Sequence, residues 1–204
     1  MAIPRNIPSF PPWTVPIITT DTNLRKYDKK QSNPNTFKFL FWELSQRYQD
    51  HTHVYTDGSK TQNGTGYSIV FEHSTTKDKL HQDTSILTAE LNALKYALET
   101  TSKYHNRKFA ISCDSTNAIA LDLNQWTNNT IHKCQNAYIE SIKNNNSITV
   151  ILVPSHRGIE MNERADKADK KAAHSIIPYH NTNLPLDSLL VHLKQKIKHY
   201  WNNE

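Results

Sequence analysis

Four carboxylic acids in this 204-residue chain have types and surroundings that could do chemistry together. Asp57 ends the apolar, β-favouring stretch of "VYTDGSK" and is followed at once by Gly58. Asp114 repeats that situation at the end of "KFAISCDS". Glu90 lies inside a helical pattern with Ile86 at i−4, Ala93 at i+3 and Leu94 at i+4, at the margin of a packed face. Asp166 follows Ala165 and stands near Ala168 in a later helical pattern. Each acid alone has an ordinary account. Asp-Gly is a hairpin signal, and acids also cap helices or face water.

Together they say more. In open α/β sheets, functional groups gather at the C-terminal ends of strands. Asp57 and Asp114 are both expected there, and neighbouring helices could bring Glu90 and Asp166 alongside. Carboxylates crowded in one pocket repel and acquire raised pKa values unless cations neutralise them. Oxygen ligands without His or Cys suit Mg²⁺, with Mn²⁺ as a substitute. Two such ions roughly 3.5–4 Å apart can activate a water and stabilise the leaving oxygen of a phosphodiester.

The elements that must position these acids can be read from periodicity. Six of the nine prolines precede residue 35, so residues 1–35 read as an extended, weakly structured arm. Residues 36–48 form a short helix with Phe37, Leu40, Phe41 and Leu44 on one face. From residue 52 the pattern is strand-like: "THVYTDG", a glycine turn, "GTGYSIVFEH", then "KDKLHQD" as a third antiparallel strand. Residues 84–104 are the clearest helix, with leucines at 87, 91, 94 and 98 and Ser85 as N-cap. A strand over 108–115 is followed by helices expected at 115–124 and 130–144. "SITVILVP" (147–154) is a continuous apolar run, as in a strand buried on both faces. A helix over 162–175 follows. The tail, 184–201, carries Leu186, Leu189, Leu190, Leu193, Ile197 and Trp201 on one stripe, an amphipathic helix. The order is that of an α/β domain with a mixed sheet.

Bulk properties set wide limits. Net charge is +5 with a pI near 9.1, a mild pointer to a nucleic-acid partner. Residues 1–50 carry seven Lys/Arg against four acids, whereas 51–175 carry fourteen against thirteen. No apolar run reaches the length of a membrane span, and the proline-broken N-terminus is no signal peptide. Cys113 and Cys134 alone make neither a disulfide framework nor a zinc site, so the simplest expectation is an intracellular chain with reduced thiols. The four glycines, at 58, 64, 66 and 158, suggest turns that need glycine's backbone freedom.

"VYTDGSK", "SILTAELNALKYAL", "ISCDSTNAI" and "VPSHRGIEMNERAD" resemble, in order, the sequence blocks of ribonuclease H domains, in particular those in the polyproteins of non-LTR retrotransposons. The likeness spans about residues 52–175, and the preceding "FWELSQRYQDHTH" resembles the connector that follows a reverse transcriptase. The resemblance implies a five-stranded mixed sheet, three antiparallel strands then parallel ones, flanked by helices. It divides the chain into an arm (1–50), a ribonuclease H domain (51–176) and a helical extension (177–204). It implies hydrolysis of the RNA strand of RNA–DNA hybrids with two Mg²⁺ ions.

Carried over residue by residue, the resemblance makes Asp57 the bridge between the two ions. Asp166 would complete the ion that activates water, and Glu90 and Asp114 would hold the one near the leaving group. His156 matches a loop histidine that assists proton transfer or product release. Substrate contacts fall on Gly58, Ser59, Thr88, Ser115 and Asn162, which would recognise the RNA strand by its 2′-OH and groove shape.

Two departures stand out: Met161 where Gly is usual, and "ADKADKK", with Ala168 for a larger apolar residue and Asp169 for Ala. Asp169, one turn beyond Asp166, is expected to face water. The stretch between Asp114 and Asp166 is too short for a lysine-rich protrusion that grips hybrids. Weak substrate binding, steep loss of activity with salt and reliance on a neighbour such as a reverse transcriptase are therefore expected.

Two other classes compete. One is a non-catalytic binding or docking module, supported by Trp13, Trp42 and Trp201 outside the matched region. The other is an integrase-type nuclease, which normally uses three acids, the last a Glu on a late helix.

Overall fold

The computed structural model describes residues 17–27, 33–115, 129–175 and 186–202. Its strands are β1 (Thr19–Asp21), β2 (Thr52–Thr61), β3 (Gly64–Val70), β4 (Thr75–Leu80), β5 (Lys108–Cys113) and β6 (Ser147–Leu152). Its α-helices are α1 (Pro34–Gln46), α2 (Ile86–Thr101), α3 (Asn129–Lys143), α4 (Glu160–Ala173) and α5 (Leu186–Asn202), with a 3-10 turn at Asn23–Lys26. The strands form one mixed sheet in the order β1-β6-β5-β2-β3-β4. β2, β3 and β4 are antiparallel, while β2, β5, β6 and β1 run parallel.

Side-chain alternation along β2 divides the core. Val54 packs with the α2 and α3 residues Leu91, Leu94, Leu98, Ile131 and Tyr138 on one face. Tyr55, one residue on, packs on the other face with Ala165 of α4 and Leu44 of α1. Phe109 and Ile111 of β5 join the first cluster and Ala110 joins the second. The sheet is thus covered on both faces, which explains why β6 reads as a continuous apolar run. Ser85 caps α2, accepting from the Thr88 N–H at 3.1 Å.

The five expected strands are joined by a sixth. Thr19–Asp21 comes from the proline-rich arm and pairs with β6 from Thr19↔Thr149 to Asp21↔Ile151. Its anchor is Asp21, which accepts from the Asn23 N–H at 2.9 Å and the Tyr48 hydroxyl at 2.9 Å. Three residues carry no periodicity, so this strand has no signature of its own; it forms because β6 offers an unpaired edge. The arm is therefore not unstructured over its described residues.

Asp57-Gly58 is not a turn. β2 continues through it to Thr61, with Asp57 opposite Ser68 and Gly58 opposite Tyr67, and the chain reverses at Gln62-Asn63. The tail forms the expected helix, but the described side chains of its stripe do not cover the core. Leu189, Leu190, Leu193, Ile197 and Trp201 are exposed, Trp201 by 71%, while Ser188 is fully buried. The helix expected at 115–124 lies outside the described residues except for Ser115. No described helix is long and apolar enough to cross a membrane.

Candidate active site

The parallel ladder between β2 and β5 ends at Thr56↔Cys113, so Asp57 and Asp114 emerge side by side where it stops. Asp57 sits in mid-strand, but on the parallel side of the sheet it does occupy a strand end. It is buried, and its Oδ1 accepts from the Gly58 N–H at 2.8 Å. Burial first, then the charges of Asp114, Asp169 and Asp166, push its pKa up to about 9.

Glu90 approaches from the opposite face of the sheet. It is half-buried on α2, and its Oε2 accepts a hydrogen bond from the Ser115 hydroxyl. Burial raises its pKa, Ser115 opposes that rise by favouring the carboxylate, and Asp114 adds to it. Asp114 therefore acts electrostatically on both Asp57 and Glu90. The close approach depends on Gly58: a Cβ there would lie 2.5 Å from the Glu90 backbone nitrogen and 2.6 Å from the Ala89 carbonyl carbon. This glycine serves proximity rather than a turn.

Asp57 and Ser59 point to the other face, toward α4. Asp166 is half-buried there and pairs with Lys170 one turn on, at 2.6 Å. Asp169 is fully buried, against the expectation that it faces water. The reason is helical phase: Asp169 falls on the inward stripe of Ala165 and Ala172, also buried. α4 presses so closely on β3 that a Cβ on Gly66 would meet the Asp169 carbonyl oxygen at 2.7 Å. Carboxylate oxygens of Asp57, Asp166 and Asp169 all lie within 4.8 Å of one another. Burial and the charge of Asp166 push the Asp169 pKa up to about 7. The i, i+4, i+7 spacing of Ala165, Asp169 and Ala172 is the sequence signal that would have revealed it.

His156 is exposed at the rim with φ 54°, in a loop between β6 and α4. One of its ring nitrogens lies within 4.8 Å of carboxylate oxygens of Glu163 and Asp166. The loop is held from inside by Glu163, which accepts from the Gly158 N–H at 3.0 Å. It is held from outside by α1, where the Arg157 guanidinium stands 5.6 Å from the centre of the Phe37 ring.

The five residues taken as substrate contacts, Gly58, Ser59, Thr88, Ser115 and Asn162, are all buried. Ser115 bonds Glu90, and the Thr88 hydroxyl meets those of Ser85 (2.8 Å) and of Ser188 from α5 (3.1 Å). Ser59 Oγ and Asn162 Oδ1 have no hydrogen-bond partner. Met161 is half-buried against the cluster that includes Leu24 and Ile159.

A central strand and a helix on one face of the mixed sheet thus gather an acidic cluster of Asp57, Asp166 and Asp169, while Asp114 at the end of the parallel neighbour acts on both Asp57 and Glu90. Crowded acids with raised pKa values and buried oxygens without donors fit a hard divalent ion. The sequence matches the RNase H family model over residues 49–174, and the chain belongs to that family. That span contains all four acids, His156 and Asp169. No curated protein gives a significant match to the chain.

Proposed function

We propose that this protein is a metal-dependent endonuclease that hydrolyses the RNA strand of RNA–DNA hybrids. The observation that supports this reading is the approach of Asp114 and Asp166 to Asp57, and of Asp114 to Glu90, at the end of the β2–β5 ladder within an RNase H family domain. Asp57, Glu90, Asp114 and Asp166 would hold two Mg²⁺ ions, or Mn²⁺ in their place. Such ions, when bound, supply water activation and stabilisation of the leaving oxygen.

The chain's own groups prepare that chemistry. Asp57 is buried and oriented by its bond from Gly58. Ser115 fixes the Glu90 carboxylate. Lys170 offsets charge at Asp166. His156, exposed beside Asp166 and Glu163, exchanges a proton with substrate or product at the rim.

The catalytic unit is residues 51–176, with 1–50 and 177–204 as extensions. The work of the protein is to support reverse transcription inside the cell in a retroelement, beside a reverse transcriptase. The exposed apolar face of α5 supports such a neighbour.

The test is cleavage of a labelled RNA–DNA hybrid by the purified chain with Mg²⁺, Mn²⁺ or EDTA, beside single-stranded RNA and duplex DNA. Hybrid-specific, metal-dependent cleavage that Asp57→Asn abolishes is expected. A folded wild-type chain inactive with either metal, alone and with a reverse transcriptase added, would leave a binding module instead.

A further inference from the structure

We propose that Asp169 is a fifth carboxylate of the cation site, on the side formed by Asp57 and Asp166. This rests on the divalent-cation reading of the cluster and adds to it a residue outside the quartet. Asp169 is fully buried, and neither of its carboxylate oxygens has a hydrogen-bond partner. Buried acids without partners are rare in folded proteins because desolvation is not offset, and each demands an explanation.

The helix does not supply one. Asp169 occupies a place in the stripe of Ala165 and Ala172 that an alanine would complete. The adjacent ammonium, Lys170, goes to Asp166. What faces Asp169 is the rest of the site. Its oxygens lie within 4.8 Å of those of Asp57 and Asp166. Ser59, two residues beyond Asp57 on the same face of β2, turns its buried hydroxyl toward Asp169; with Lys170 it offsets part of the burial without forming a full hydrogen bond, and burial still wins. Opposite ligands of an ion with bonds of about 2.1 Å stand roughly 4 Å apart. The triad therefore spans a distance suited to one ion, with direct ligation by some members and a water between the ion and another.

The test is Mn²⁺ binding by the full chain, followed by electron paramagnetic resonance, with thermal unfolding in EDTA and in Mn²⁺. The variants are Asp169→Asn, Asp169→Ala and Asp57→Asn. Both Asp169 variants are expected to bind Mn²⁺ about 10–100-fold more weakly than wild type. Asp169→Ala should also unfold at a higher temperature in EDTA and gain less from Mn²⁺. Wild-type affinity in both Asp169 variants, with loss in Asp57→Asn, would exclude Asp169 while leaving the cation reading intact. A lower unfolding temperature of Asp169→Ala in EDTA, with an undiminished Mn²⁺ shift, would make Asp169 a structural residue. No saturable Mn²⁺ binding by folded wild type would remove the cation reading, and this proposal with it.

Discussion

The Glu90 backbone nitrogen stands 2.5 Å from where a Cβ on Gly58 would be, so β2 and α2 meet backbone to backbone at the site. The neighbouring atoms are main chain and cannot swing aside. Gly58→Ala must displace α2 and carry Glu90 away from Asp114. Overpacking of this kind costs about 1–3 kcal/mol. Urea unfolding should show that loss, and hybrid cleavage should fall at least about tenfold. An alanine variant as stable and as active as wild type would show that the helix yields freely.

Ser115→Ala tests how Glu90 is held. The serine hydroxyl favours the charged carboxylate, so its loss raises a pKa that burial has already raised. Glu90 is only half-buried, so the stability cost is about 1.5 kcal/mol, the low end for a bond to a charged group. The acid limb of the pH–activity profile should move to higher pH. An unmoved limb would mean that Glu90 does not need to be ionised for activity.

Without divalent ions, the acid cluster should make the protein less stable as pH rises. The carboxyls of Asp57 and Asp169 have an ordinary value of 3.8, raised to about 9 and about 7 in the fold. Above pH 3.8 the unfolded chain gives up these protons while the folded chain keeps them, so unfolding releases protons. The stabilisation is complete below the unfolded value and is lost through pH 7 for Asp169 and pH 9 for Asp57, by at most about 1.4 kcal/mol per pH unit for each group. In EDTA, Asp169→Asn should flatten the slope below pH 7 and Asp57→Asn the slope that continues above it. Parallel melting-temperature profiles for all three proteins would refute this.

Ser188 of α5 sits against Ser85 and Thr88 at the start of α2, and it is fully buried. Ser188→Leu cannot fit and should lift the helix, a change that Trp201 fluorescence reports. If Thr88 touches substrate, uncovering it lowers KM for a hybrid roughly threefold to tenfold, the worth of one or two hydrogen bonds. A displaced helix with unchanged KM would leave Thr88 as part of the α2 cap.

Phe37 supports the His156 loop from α1. Phe37→Ala should cost about 3–5 kcal/mol, because the ring is fully buried. Phe37→Leu keeps most of the volume but removes the face beneath Arg157. It should cost only about 1 kcal/mol while lowering the turnover that depends on His156. Turnover equal to wild type in Phe37→Leu would uncouple α1 from the loop.

Most of the scaffold was legible because long periodic segments state their own type. The leucine spacing of α2 and the apolar run of β6 needed no tertiary information. Asp57-Gly58 misled because the dipeptide that favours a turn also suits a strand where another backbone comes close. β1 was invisible because it is short and its pairing partner lies more than a hundred residues away in the chain. The tail's stripe was correctly assigned to a helix, but amphipathicity does not say what, if anything, covers the apolar face.

The amino-acid sequence alone determined which residue types were present and the phase of each element: acids after two strands, an acid within a helix, and an acid one turn before another. Periodicity is local, so it survives without coordinates. The tertiary structure decided distances and burial. It set α4 so tightly on β3 that Asp169 turned from a solvated charge into a buried neighbour of Asp57, and it put Ser188 over Thr88. Such contacts depend on helix–sheet separations of tenths of an ångström, and those arise only when all the packing surfaces meet at once.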